Sequence, residues 1–121
     1  MTYQEQDSRF LTSIERVGSC KIKSDPVPVM RFAEQLYPKE SIARHEEGTV
    51  RMEFIFDTNW CIRKATIVKS TGYWRLDRAS LSYVMTVRYK PKPEYLKIKD
   101  GEPTIVAVSY THLTLPTILL V

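Results

Sequence analysis

Cysteine and histidine are the residues of this chain whose chemistry is easiest to recognise, and their spacing argues against catalysis. Cys20 and Cys61 lie 41 positions apart, which fits neither a metal-binding pattern nor a redox C-x-x-C motif. Two free, partly buried thiols are the favoured interpretation, because a disulfide needs an oxidising compartment and close geometry. His45 and His112 have no partner at ligand spacing and belong to no nucleophilic triad. We therefore expect a protein that is not an enzyme and that holds no metal and no cofactor.

The charge of the chain permits an anionic partner but does not favour nucleic acid. The 121 residues carry a formal net charge of +4, and 43% of them are hydrophobic, as in an ordinary globular domain. The densest basic cluster is interrupted by Pro91 and Pro93 and consists of Arg88, Lys90, Lys92, Lys97 and Lys99. No aromatic reader motif accompanies it, so a solvated loop is the better interpretation and no nucleic acid is expected as a partner.

The N-terminal segment has a helical pattern and ends at a breaker. Hydrophobic residues recur at helical spacing, with Gly18 positioned to end the helix: Phe10, Leu11, Ile14 and Val17. Pro26 and Pro28 then impose extended backbone, which predicts a peripheral arm over residues 1–26. The first twenty residues are polar and no apolar run approaches a membrane span, so neither a signal peptide nor an anchor is visible. Taken alone, this predicts a cytoplasmic chain.

The central segment predicts a helix followed by a hairpin. Tyr37–Pro38 opens a short helix that ends before Gly48. Strict alternation then predicts a half-buried strand, whose inward residues are Val50, Met52, Phe54 and Phe56. A turn around Asp57–Trp60 leads into a second strand, in which slipped alternation near Arg63–Lys64 indicates a bulge.

The remaining segment predicts a second helix and a last strand. Hydrophobic residues spaced by three and four positions run from Leu76 to Val87, and Asp100–Gly101 is a turn before a strand at Thr104–Val108. The fold class is therefore α+β and two-layered, with a three-stranded antiparallel sheet, two helices on one face and the order α-β-β-α-β. We expect one buried cluster, made of Phe54, Phe56, Ile67, Leu76 and Val84.

These motifs together resemble a known family. Residues 27–107 are similar to the C-terminal domain of TonB-type energy transducers. The matching motifs are Tyr37–Pro38, Gly48 leading into Val50–Asp57, Ser70–Thr71–Gly72, Leu76–Asp77, Tyr89 with Pro91, and Asp100–Gly101–Glu102–Pro103. Two departures from the family pattern are His45 and Trp60, which stand where many members have glycine and must therefore tolerate left-handed backbone.

The resemblance implies a periplasmic interaction module. Such domains couple the ExbB–ExbD motor to outer-membrane receptors for iron–siderophore complexes or cobalamin, through an inner-membrane anchor, which we do not expect within these residues. They bind the receptors' TonB box by β-augmentation. The residues that the resemblance assigns to partner binding are Gln35, Tyr37, Pro38, Thr104, Ile105, Val106 and Ala107. Gln35 and Tyr37 have an equally good interpretation as a surface glutamine and a packing tyrosine, and homodimerisation is left open.

The last residues carry a different resemblance. Val108–Thr117 reads VSYTHLTLPT, which resembles a translated sequencing-library adapter. We expect natural coding to end near Ala107, which divides the chain into an arm at 1–26, a domain at 27–107 and a non-native tail at 108–121. Two alternative functions stay open: a soluble peptide-binding relative with no role in energy transduction, and a small basic nucleic-acid-binding domain.

Overall fold

A computed structural model describes residues 12–32, 36–98 and 105–115 of the chain. The five strands are β1 (Ser13–Glu15), β2 (Gly48–Phe56), β3 (Ile62–Lys69), β4 (Leu96–Ile98) and β5 (Ile105–Leu113), and the two helices are α1 (Lys39–Ala43) and α2 (Trp74–Val84). A 3₁₀ turn at Pro93–Tyr95 leads into β4. None of the helices in these ranges is long and apolar enough to cross a membrane.

The strands form one sheet in the order β1-β3-β2-β5-β4, and every neighbouring pair is antiparallel. The predicted α+β class and the order helix, strand, strand, helix, strand are confirmed for the central elements. The predicted number of three strands is too low, because the short strands β1 and β4 add to the two sides of the sheet. The last strand is also longer than predicted, since β5 runs to Leu113 and pairs with β2 along all nine residues.

The core lies between the sheet and α2. Alternate residues of β2 are buried, from Val50 to Phe56, while Thr49 and Arg51 are exposed. The predicted cluster is confirmed: Phe54, Phe56, Leu76 and Val84 are buried together, and Ile67 packs half-buried against them. Its aromatic part is extended by Tyr89, whose ring centroid lies 5.8 Å from that of Phe54.

The N-terminal segment belongs to the sheet. Residues Ser13–Glu15 are a strand that pairs with β3, so the predicted helix through Ile14 and Val17 is wrong; Phe10 and Leu11 lie outside the described residues. The helical spacing of a few hydrophobic residues does not outweigh the backbone hydrogen bonds that the edge of β3 offers to an extended segment. Ile14 packs against the core, whereas Val17 is 96% exposed.

Further contacts attach this segment, which precedes the boundary predicted at residue 26, to the rest of the domain. Cys20 and Cys61 form a disulfide, so the prediction of free thiols is wrong. The Arg16 guanidinium donates to the backbone oxygens of Ile62 and Met85, at 3.2 and 3.1 Å. These contacts join positions more than 40 residues apart, which sequence spacing alone does not reveal.

Three local features follow the sequence closely. His45 and Trp60 have φ values of 55° and 64°, so both adopt the left-handed backbone expected where the family has glycine. The bulge lies where alternation slips, because Ile55 pairs with Lys64 while Phe56 pairs with Ile62, leaving Arg63 as the extra residue.

The connection from β3 to α2 is fixed by one carboxylate. Asp77 Oδ1 accepts hydrogen bonds from the Thr71 backbone N–H at 2.9 Å and the Thr71 hydroxyl at 2.7 Å, and Oδ2 accepts from the Ser70 hydroxyl. Thr71 also explains Gly48: a Cβ added there would lie 2.9 Å from the Thr71 Cβ. The Leu76–Asp77 motif thus positions α2 on the sheet.

Candidate functional site: the outer edge of β5

The structure moves the predicted binding edge along the last strand. Ile105, Val106 and Ala107 pair with β2 on one side and with Leu96–Ile98 on the other. Both sides of their backbone are therefore occupied, and they offer no edge to a partner; Thr104 and Gln35 lie outside the described residues. The part of β5 beyond Ala107 keeps its pairing with β2, but no strand among the described residues pairs with its other side.

The hydrogen bonds of β3 fix which backbone groups face which neighbour. Ile67 donates its backbone N–H to Thr12 at 2.7 Å, and Arg16 donates its N–H to the Arg63 oxygen at 2.7 Å. The odd-numbered residues of β3 in this region therefore face β1. Because successive residues of an antiparallel strand point to opposite neighbours, Thr66 faces β2.

The same alternation carries across the sheet to β5. Thr66 pairs with Glu53, so Met52 and Phe54 turn their backbone groups towards β5, where they pair with Ser109 and Ala107. The residues of β5 between these positions must therefore point their backbone N–H and C=O groups away from β2. In the part of β5 that β4 does not cover, the residues whose backbone N–H and C=O point away from β2 are Val108, Tyr110 and His112.

A groove of about 290 Å³ runs beside this edge. One wall is formed by Val108–Tyr110, and the other comes from the Pro28–Met30 segment, Tyr89 and Lys92. The Pro28–Met30 segment is held by neighbouring pairing, since Val27 accepts from Lys90 at 3.0 Å and donates to Arg88 at 2.9 Å. An extended chain in this groove would meet the outer side of β5, which no described strand covers, and apolar surface opposite it.

The side chains on the outer face of β5 are held by β2. The Thr49 hydroxyl and His112 Nδ1 lie 2.8 Å apart, and the Arg51 guanidinium carbon lies 5.4 Å from the centre of the Tyr110 ring. Tyr110 is nevertheless 60% exposed. These contacts fix the direction of the edge without covering its backbone.

The sequence allows Tyr37 to be interpreted either as a partner-binding residue or as a packing residue, and the structure shows it packed inside the domain. Its side chain is 5% exposed, its ring lies edge-on to Phe32, and its hydroxyl donates to the backbone oxygen of Glu46. Burial, reinforced by the nearby carboxylates of Glu47 and Glu46, raises the pKa of Tyr37 to about 12. Tyr37 thus packs within the domain next to α1, while the neighbouring Pro38 is half-buried beside α2.

Sequence reasoning missed Val108, Tyr110 and His112 as the edge residues. The alternation of the VSYTHL segment indicates a strand, but it does not tell which backbone groups face outward, because that depends on the pairing with β2. No group of three or more metal-ligating side chains lies together within the part of the chain that the structure describes.

The comparison with protein families agrees with the fold. Residues 33–111, about two thirds of the chain, match the family described as Gram-negative bacterial TonB protein C-terminal. No match was found among curated proteins or among solved structures. The family match and the α+β fold agree over the same elements, from the segment before α1 to β5. The chain therefore belongs to the Gram-negative bacterial TonB protein C-terminal family.

Proposed function

We propose that this domain is the periplasmic interaction module of a TonB-type energy transducer and that it binds the TonB box of outer-membrane receptors along β5. The observation that carries the proposal is the backbone edge at Val108, Tyr110 and His112, which lies next to a groove and whose outer side pairs with no strand among the described residues. An added strand gains affinity from main-chain hydrogen bonds and specificity from pockets for alternate side chains. The edge supplies the first and the groove supplies the second.

The groove has the composition that such a strand needs. Val29 is 52% exposed and lines the groove together with Pro28 and Met30, so side chains entering from the partner would contact apolar surface. Lys92 is exposed at the same groove and adds a positive charge. An extended segment with an apolar residue facing the groove therefore fits better than a helix, which cannot satisfy the edge.

The disulfide supports a periplasmic location. Disulfides persist in oxidising compartments, and the bacterial periplasm is one of them. This observation favours the location implied by the family over the cytoplasmic one predicted from the polar N-terminus. Coupling to ExbB–ExbD through an anchor, and the transport of iron–siderophore complexes, rest on family membership alone.

Residues 108–117 resemble a translated sequencing adapter, which bears on which side chains this edge carries more than on the geometry of its backbone. Strand addition depends on backbone groups, so other side chains at the same positions would leave an equivalent edge. We keep the prediction that this segment is non-native. We expect a chain with its C-terminal part restored from genomic DNA to bind at least as tightly.

Calorimetry with a synthetic TonB-box peptide, taken from a receptor encoded beside this gene, tests the proposal. Tyr110→Pro removes one outward N–H and the side chain, whereas the control Tyr110→Ala removes the side chain only. We expect proline to weaken binding at least tenfold and alanine less than threefold. Equal losses of affinity in the two variants would contradict the proposal. So would the absence of binding at millimolar peptide by both the present and the restored chain.

The soluble-relative alternative differs in its partner. It predicts no ExbB–ExbD or receptor genes nearby and binding of some other extended peptide at the same edge. A second copy of the chain could also add its strand there, and sedimentation at several concentrations would show such a homodimer.

A further inference from the structure

A second groove, of about 360 Å³, lies between the start of α1 and one side of α2. It shares no lining residue with the groove beside β5. Its wall from α2 includes Arg75, Arg78, Ala79 and Ser82, which recur at helical spacing on the face next to the buried stripe. Pro38 and the half-buried Trp74 supply apolar surface.

The cation nearest the core is already fixed. The Arg75 guanidinium carbon lies 4.6 Å from the centre of the Trp74 ring, and Arg75 Nη1 lies 3.6 Å from Glu46 Oε2. Glu46 is in turn held by the Ser41 hydroxyl, which donates to Oε1 at 2.8 Å. Arg75 therefore holds the indole in place and its charge is balanced within the domain.

The cations at the rim are not balanced. Glu40 is the carboxylate that lines the groove, and its Oε2 lies 3.5 Å from Arg44 Nε. Lys39 and Arg78 are both exposed at the groove, and neither has an acidic partner among the described residues. The groove thus combines an apolar, aromatic wall with two positive charges that no described carboxylate neutralises.

We infer that this groove binds a short acidic segment of a partner protein, in which carboxylates flank an apolar side chain. The apolar side chain would lie against Trp74 and Pro38, and the carboxylates would pair with Arg78 and Lys39. A nucleic acid fits less well, because two cations would neutralise few phosphates and one face of the indole is covered by Arg75.

The two indole N–H signals of the ¹⁵N-labelled full chain report on this binding, and Trp60→Phe assigns them. The probe is acetyl-Glu-Leu-Asp-Leu-Glu-amide, and the control peptide replaces its acids by Gln and Asn. We expect the Trp74 signal to shift with the acidic peptide, which should bind at least tenfold tighter than the control at low salt. The difference should shrink at 0.5 M NaCl, where charges are strongly screened.

Variants separate local from overall charge. Arg78→Gln and Lys39→Gln should each weaken the acidic peptide at least threefold, whereas Arg63→Gln, an exposed change on β3, should alter it less than 1.5-fold. TonB-box affinity should be unchanged in Arg78→Gln, so failure here is distinguishable from failure of the proposed function. Equal binding of both peptides, equal effects of the variants, no shift at Trp74, or tighter binding of oligo-dT at Trp74 would overturn the inference.

Discussion

Cys20 is bonded to Cys61, and their Cα atoms lie 6.4 Å apart although 41 positions separate them. The bond ties the N-terminal segment to the end of the β2–β3 turn, close to where Arg16 reaches the backbone of Ile62. The β1 strand lies only a few residues earlier in the chain. The N-terminal segment is therefore held to the sheet by the pairing of β1 with β3 and by a covalent bond to the residue before β3.

Breaking this bond should destabilise the domain. Closing a loop of this length restricts the unfolded chain by roughly 4 kcal/mol in the entropic treatment, and measured effects are usually about 2–4 kcal/mol. Urea unfolding with and without dithiothreitol measures the change. The Cys20→Ala/Cys61→Ala variant should be insensitive to dithiothreitol, and an unchanged midpoint for the wild type under reduction would show that the bond contributes nothing.

Phe54 should be among the most sensitive positions of the core. It is fully buried at the centre of β2, between Phe56 and Tyr89. Phe54→Ala removes its transfer free energy and leaves a cavity, so the free energy of unfolding should fall by about 3–5 kcal/mol. Val68→Ala, on β3 with 50% exposure, is the matched control and should cost less than about 1 kcal/mol. Similar costs for the two variants would place Phe54 outside the core.

The features predicted correctly from the sequence are those that depend on residues close to one another in the chain. Alternation from Val50 to Phe56 sufficed for β2, a slip at Arg63 sufficed for the bulge, and His45 followed from the place of a family glycine. What failed was non-local: the pairing of Ser13–Glu15 with β3, the Cys20–Cys61 bond and the short strand β4. Each of these depends on segments that meet only in the folded chain, and three-residue strands carry almost no periodic signal.

The candidate site shows the same division. The resemblance implied that a partner adds to the last strand, but it did not give the position of the open edge. Leu96–Ile98 covers the outer side of Ile105–Ala107, which shifts the open edge to Val108 and beyond. Tyr37 lies in the motif that opens α1. Its side chain is buried, and its hydroxyl donates to the backbone oxygen of Glu46, a contact that the sequence does not reveal.

The register of β5 predicts opposite effects at adjacent positions. Thr111 is buried and its backbone faces β2, so Thr111→Pro removes a ladder hydrogen bond and leaves its partner unsatisfied, which should cost about 1–3 kcal/mol. Tyr110 faces outward, where proline is tolerated, so Tyr110→Pro should cost no more than about 1 kcal/mol beyond Tyr110→Ala. Urea unfolding of the three variants checks this, and the reverse ranking would show that the strand faces are assigned the wrong way round.

Alkali should weaken the fold through Tyr37. Its folded-state pKa is raised from 10.0 to about 12, so the unfolded chain releases this proton first. The stabilisation is complete below about pH 10 and is lost as the pH rises towards 12, by an amount on the order of 3 kcal/mol. Unfolding free energies at pH 9 and 11 should differ less in Tyr37→Phe than in the wild type. The exposed-tyrosine control, Tyr73→Phe, should keep the wild-type slope; if Tyr37→Phe keeps it too, another group is responsible.

Amide hydrogen exchange, followed residue by residue with and without a TonB-box peptide, tests strand addition to β5 most directly. In the free protein, the amides of Ser109, Thr111 and Leu113 should be protected by β2, whereas those of Val108, Tyr110 and His112 should exchange rapidly. Saturating peptide should slow exchange of the second set at least tenfold, in this alternating pattern. Binding that leaves the exchange of Val108, Tyr110 and His112 unchanged would contradict the account.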